Sequence, residues 1–209
     1  KRRKRAGGAS KRVHIMLKHF LLISLLAFTV TATIPSYAQR ASDLAEKWEQ
    51  RTNEIINEAS ESQRIEFEIL TTQNGVIHSI EHLLSGMKKS VKSCGDANPQ
   101  MKDDIRTAYT NFKGPLEAPL DNAKRRFSSL LSRQSLLTTS KMRAYFDLTN
   151  EVAIMQDQQV DWVAVTRKED CQDFLDDLHD TGKRDELVGF LNRDFAKEIN
   201  AQLKKQQAR

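Results

Sequence analysis

The sequence is short of what builds a sheet or a loop-rich fold. Its 209 residues include eight glycines, four prolines and two cysteines. No sustained two-residue alternation of apolar and polar side chains runs through it. Its Asn-Gly pair, Asn74-Gly75, lies between helical patterns and not between β-rich runs. Strands and hairpins need those signals, so the reading is all-α. There is no C-x-x-C and no C-x-x-C-H, which disfavours thioredoxin-like redox chemistry and c-type haem attachment. No P-loop, dinucleotide fingerprint or G-x-S-x-G elbow occurs.

Acidic residues are missing from the first 38 positions, where eight lysines and arginines stand. The whole chain carries a formal charge of +5, but residues 39–209 hold 25 basic and 28 acidic side chains, a net of −3. The positive charge therefore belongs to the leader and does not point to a nucleic-acid partner. Met16 is the first methionine and the expected start; residues 1–15 read as a longer n-region or as upstream sequence. Lys18 is followed by the 11-residue apolar run Phe20 to Val30, then Pro35, and Ser36-Tyr37-Ala38 places small residues before Gln39. This order predicts a signal peptide cleaved after Ala38, since a membrane span needs about 20 apolar residues. The alternative is an uncleaved N-terminal anchor over Phe20 to Ala38; a membrane is expected only through the signal segment or such an anchor. Export implies a periplasmic or secreted protein, and the lack of N-x-S/T sequons favours a bacterial source.

In an oxidising compartment the pair Cys94 and Cys171 predicts one disulfide. The chain-entropy relation gives about 4.5 kcal/mol for closing such a loop. A reactive thiol at Cys94 is the rival reading, but no histidine stands close to either cysteine in sequence to activate it.

Residues 39–209 suffice for one helical domain. A helix is expected from about Ser42, its cap, to Ser93. Its seven-residue ladder is Trp48, Ile55, Ser62, Ile69, Val76 and Leu83; a second seam is Thr52, Ala59, Glu66, Gln73, Ile80 and Met87. A break or bend is expected at Thr71 to Gly75. Pro99 to Phe112 reads as a short helix ended by Gly114-Pro115. Leu116 to Lys168 carries two apolar stripes, the second including Met142, Tyr145, Phe146, Val152, Met155, Trp162 and Val163. A break at Thr138 to Ser140, with Ser140 as cap, is required if Cys171 is to return to Cys94. Asp170 to Asp180 and Asp185 to Leu203 are the last two helices, separated by a turn at Thr181-Gly182.

Three stretches resemble chemistry. His78-Ser79-Ile80-Glu81-His82 spells H-x-x-E-H, a zinc-peptidase pattern in which Glu81 would be the general base. The spacing stacks His78 and His82 on one helix face but turns them away from the apolar side, and two ligands fall short of the four zinc usually takes. They read as a surface metal pair at most. Ser85-Gly86-Met87-Lys88 matches S-x-x-K without the S-D-N and K-T-G partners of penicillin-binding enzymes. Asp170, Asp173, Asp176, Asp177 and Asp180 suggest calcium, but an EF-hand register fails, leaving a solvated acidic face.

The sequence thus predicts an extended helical bundle of long amphipathic, partly heptad-patterned helices with one disulfide. The expected function is non-enzymatic, as a scaffold, adaptor or assembly factor acting on a protein partner or a second copy, because the polar upstream half of the seam makes no dry core alone. No cofactor is implied. A periplasmic carrier of a small ligand or metal at His78 and His82 is the alternative, and a hydrolase using Glu81 or Ser85 the third reading.

Overall fold

The computed structural model describes the backbone of residues 36–159 and 164–207 and the side chains of 39–156 and 164–201. Among the described residues are seven α-helices and no strand. They are α1 Ser36–Glu58, α2 Glu61–Ala97, α3 Lys102–Arg133, α4 Thr139–Gln159, α5 Lys168–His179, α6 Thr181–Asn192 and α7 Phe195–Gln207, with a 3-10 turn Pro99–Met101 before α3. The leader run Phe20 to Val30, Trp162, Val163 and the side chain of Leu203 lie outside the described residues. The predicted cleavage site falls within the first turn of α1. No described helix is long and apolar enough to cross a membrane.

The centre of the fold is the antiparallel pair α2–α3. Tyr109 Oη donates to Leu84 O, Gln73 Nε2 to Ala123 O and Gln63 Nε2 to Ser135 O, so the two helices run in opposite register. Along one face of α2 Phe67, Leu70, Ile77, Ile80 and Leu84 are buried, and α3 answers with Ile105, Ala108, Phe112, Leu116, Leu120 and Ala123. Both sets recur at three- and four-residue spacing, the requirement for one apolar stripe on a helix.

Several expected boundaries move. No break interrupts the chain at Thr71 to Gly75, and α2 continues through it. The burial stripe continues across it, Gln73 and Asn74 are buried, and Asn74 Nδ2 donates to Asn150 Oδ1 on α4 at 3.1 Å. The break lies instead at Ala59-Ser60. There Ser60 Oγ accepts from Gln63 N while Gln63 Oε1 accepts from Ser60 N, a reciprocal capping box. Gly114-Pro115 does not end a helix either, since α3 continues through Pro115 and Pro119. Each proline removes one i→i−4 bond, which leaves the carbonyls of Asn111 and Pro115 without donors. Both residues are exposed, so water can satisfy them, and the buried stripe on the other side holds the helix together.

The expected break near Thr138 is present between α3 and α4, but the cap is Thr138 and not Ser140: Lys141 N donates to Thr138 Oγ1. After it α4 runs parallel to α2 and antiparallel to α1. Trp48 Nε1 donates to Thr149 Oγ1, and the Thr52 and Tyr145 hydroxyls lie 3.0 Å apart. The chain thereby returns to the end of α2, and Cys94 and Cys171 stand at disulfide distance, 5.6 Å between Cα atoms. The expected turn at Thr181-Gly182 belongs to α6, capped by Asp180, which accepts from Gly182 N and Lys183 N. The expected single helix Asp185 to Leu203 is divided at Arg193-Asp194. Asp194 Oδ1 accepts from Lys197 N and starts α7.

Candidate functional site

The H-x-x-E-H stretch lies at the middle of α2, where α3 and α4 both come close. A small groove of about 260 Å³ opens there, lined by Asn74, His78 and Glu81 of α2, Lys124 of α3, and Arg143 and Asp147 of α4 among others. Helix geometry alone turns both histidines towards water. The structure divides them. His82 is exposed, whereas His78 is half-buried at the rim of the groove, because α4 supplies a wall that the periodicity of α2 does not announce.

Glu81 is the central group. Lys124 Nζ approaches its Oε1 at 2.6 Å, and His78 Nδ1 lies 3.3 Å from its Oε2. The carboxylate is thereby tied across the helix pair. No cluster of three or more potential metal-ligating side chains occurs among the described residues. His78 and His82 are thus not joined by a third ligand within that set, and two imidazoles one turn apart leave half of a tetrahedral shell unfilled.

The other sequence candidates are spread out. Ser85 and Lys88 are both exposed on α2. Of the acidic stretch, Asp170 is bound by Arg167 at 2.7 Å, Asp177 pairs with Lys183, and Asp180 caps α6. Asp177 and Asp180 share Lys183, while Asp170 serves Arg167 at the other end of α5, so the carboxylates are taken up by side chains of the protein. Arg126 donates to Leu191 O, and with Lys124 it shows that two of the three basic residues at 124–126 link helices. Trp48 and Tyr145 bridge α1 and α4, and Tyr109 bridges α2 and α3. Burial pushes the Tyr109 phenol above its ordinary range.

The disulfide has a partner that sequence reasoning missed. Asn98 is buried beside it; its Nδ2 lies 3.4 Å from Cys171 Sγ and donates to Thr166 O at 3.0 Å, while its backbone N–H closes α2 on Cys94 O at 2.8 Å. One amide thus joins the end of α2 to the segment entering α5. Asn98-Pro99 four residues after a cysteine is the signal, since Asn is favoured at helix ends and Pro cannot continue a helix. Comparison with protein-family models, with curated proteins and with solved structures finds no match for this chain.

Proposed function

We propose that this chain is an exported helical-bundle protein that works through contacts with other protein surfaces, as a scaffold, adaptor or assembly factor. Export rests on the leader pattern before Gln39 and is consistent with the cysteine pair at disulfide distance. The observation that carries the contact reading is the engagement of Glu81. A general base needs a carboxylate free to reach a substrate proton. Here that carboxylate bonds Lys124 across the α2–α3 pair and lies beside His78. The base that the H-x-x-E-H pattern would need serves instead as a tie between helices. The outer faces of two helices, 37 and 32 residues long, are then the most extensive features available for work.

The test is sedimentation of the purified protein over a wide concentration range, paired with cross-linking in its native envelope fraction. The expected result is a mass above that of one chain, or a saturable cross-link to a defined partner. A strict monomer without any cross-linked partner overturns the proposal. Glu81→Gln supplies the rival arm: it should lower stability without changing the association, whereas a hydrolase would lose an activity.

A further inference from the structure

Near its connector, the α2–α3 pair flanks an open groove of about 610 Å³. Lys88, Lys89 and Lys92 line it from α2, and Lys102 and Arg106 from α3. The only carboxylate lining it is Asp96, which Lys92 holds at 2.7 Å. Among the described residues Lys88, Lys89, Lys102 and Arg106 make no ion pair, whereas Arg40, Lys113, Lys124, Arg167 and Lys183 each do. Gly95 helps to build the cluster. A Cβ there would stand 3.1 Å from Lys102 Cγ, so the missing side chain lets the lysine stem cross the end of α2. Lys102 also acts on Asp96 through its charge, but one carboxylate serves five cations, and gathering like charges at one-turn spacing destabilises the free protein. A ligand of opposite charge relieves that repulsion.

The chain itself carries such a surface. The helix α5 contains five carboxylates and one lysine. Asp170 and Asp177 are engaged by Arg167 and Lys183, but Glu169, Asp173 and Asp176 form an exposed stripe at i, i+4 and i+7 with no ion pair among the described residues. Successive members stand about one helical turn apart, as do Lys88 and Lys92, and Lys102 and Arg106. The stripe cannot enter the groove of its own chain. The Cys94–Cys171 link fixes α5 to one side of α2. At about 100° per residue, Lys88, Lys89 and Lys92 lie roughly 120–160° round α2 from Cys94.

We propose that this groove receives the acidic α5 stripe of a second copy of the chain, in a head-to-tail contact. The inference rests on the protein-contact reading above and deepens it by naming the partner. Because groove and stripe belong to one protomer but to different faces, the contact is heterologous, and it extends or closes into a ring. Exposed charges carry it, so salt weakens it.

Two neutralising variants of the full protein test it, each checked for helical content by circular dichroism. Lys88→Gln/Lys89→Gln/Arg106→Gln removes the groove charge and keeps the stripe. Asp173→Asn/Asp176→Asn removes the stripe and keeps the groove. At low salt the wild type should gain mass with concentration and return to one chain as salt rises. Each variant alone should remain a single chain, and an equal mixture should associate but stop at two chains. Association of both variants like the wild type overturns the head-to-tail contact but leaves the wider reading standing. A mixture that stays monomeric overturns it too, as does binding of phosphatidylglycerol vesicles through the groove without self-association. A wild type that neither associates nor cross-links to any partner removes both proposals.

Discussion

One end of the α2–α3 pair is closed by a covalent bond, the other by aromatic rings. At the first end Cys94, Met101, Ile105, Phe112, Leu116, Cys171, Leu175, Leu178 and Leu191 form one buried cluster, built from α2, α3 and the short helices α5 and α6. At the second end Ile55, Phe67, Leu70, Leu131, Met142, Tyr145 and Phe146 form another, to which α4 contributes most. Phe67 packs on Tyr145 at 5.4 Å, Tyr145 on Phe146 at 5.2 Å, and Phe127 on Phe146 at 5.0 Å in an edge-to-face arrangement. The difference follows from helix length. The helices α5 and α6 have 12 residues each, too few to be stable alone. They need an anchor that does not depend on their own area, and the disulfide is one. With 21 residues and three side chains in this cluster, α4 holds by packing.

Breaking each device in turn should show that the two ends are separately held. Cys94→Ser/Cys171→Ser should have the largest effect, a loss of about 4 to 4.5 kcal/mol if the full entropy of the 77-residue loop is recovered by the unfolded chain. Denaturant unfolding measures the total. Hydrogen exchange should find the lost protection in α5 and α6, and equal loss in α4 would merge the two ends into one unit.

Phe146→Ala is the reciprocal cut. It removes two ring contacts and leaves a cavity in the aromatic cluster, at a cost of roughly 3 to 4 kcal/mol. Here exchange should rise in α1 and α4 while the amides around Cys94 stay protected.

A smaller change sharpens the comparison without breaking either end. Gly75 lies inside α2 between the two clusters, and a Cβ there meets nothing within 4 Å. Gly75→Ala should therefore raise the unfolding midpoint, by about 0.5 to 1 kcal/mol in stability. A fall would mean that α2 bends at this point.

The smallest effect concerns charge at the disulfide end. The hydrogen bond from Lys92, reinforced by its positive charge, holds the Asp96 carboxyl below the ordinary carboxylate range, and the same bond raises the Lys92 ammonium. A depressed carboxyl contributes stability that is present above its unfolded pKa and lost as pH falls through the folded one. The raised lysine contributes below its unfolded pKa, and that part is lost as pH rises through its folded value. Asp96→Asn should thus flatten the stability profile slightly below about pH 4 and again in the alkaline range above about pH 10. An unchanged profile in titrated thermal melts would show that the pair is inert.

Much of the fold is legible from periodicity. The three- and four-residue spacing of Ile105, Ala108, Phe112 and Leu116 announces a helix, and two cysteines with no third announce their pairing. The break near Thr138 follows from requiring Cys94 and Cys171 to meet. What misleads is punctuation. The heptad ladder through Ser62 hides the capping box of Ser60 and Gln63, because a pattern of apolar spacing is blind to where backbone donors are satisfied. Gly75, Gly114 and Pro115 look like stops, yet each lies beside buried residues whose packing outweighs a local cost of order 1 to 3 kcal/mol. The candidate site is legible only in part. The pairing of His78 with Glu81 is local to α2, whereas Lys124 reaches Glu81 from 43 positions away. Nor does a scan for basic runs find the groove, whose cations come from two helices separated by the connector at Asn98.

By itself the sequence determines a helical fold class, one cysteine pair and an acidic region behind a basic N-terminal stretch, because composition and short-range spacing can be read without knowing which distant residues meet. Tertiary structure alone decides which helices stay whole, that Glu81 becomes a tie between helices, and that five cations share one groove. Those outcomes depend on distances between residues far apart in the chain, which are fixed only when the two buried clusters form.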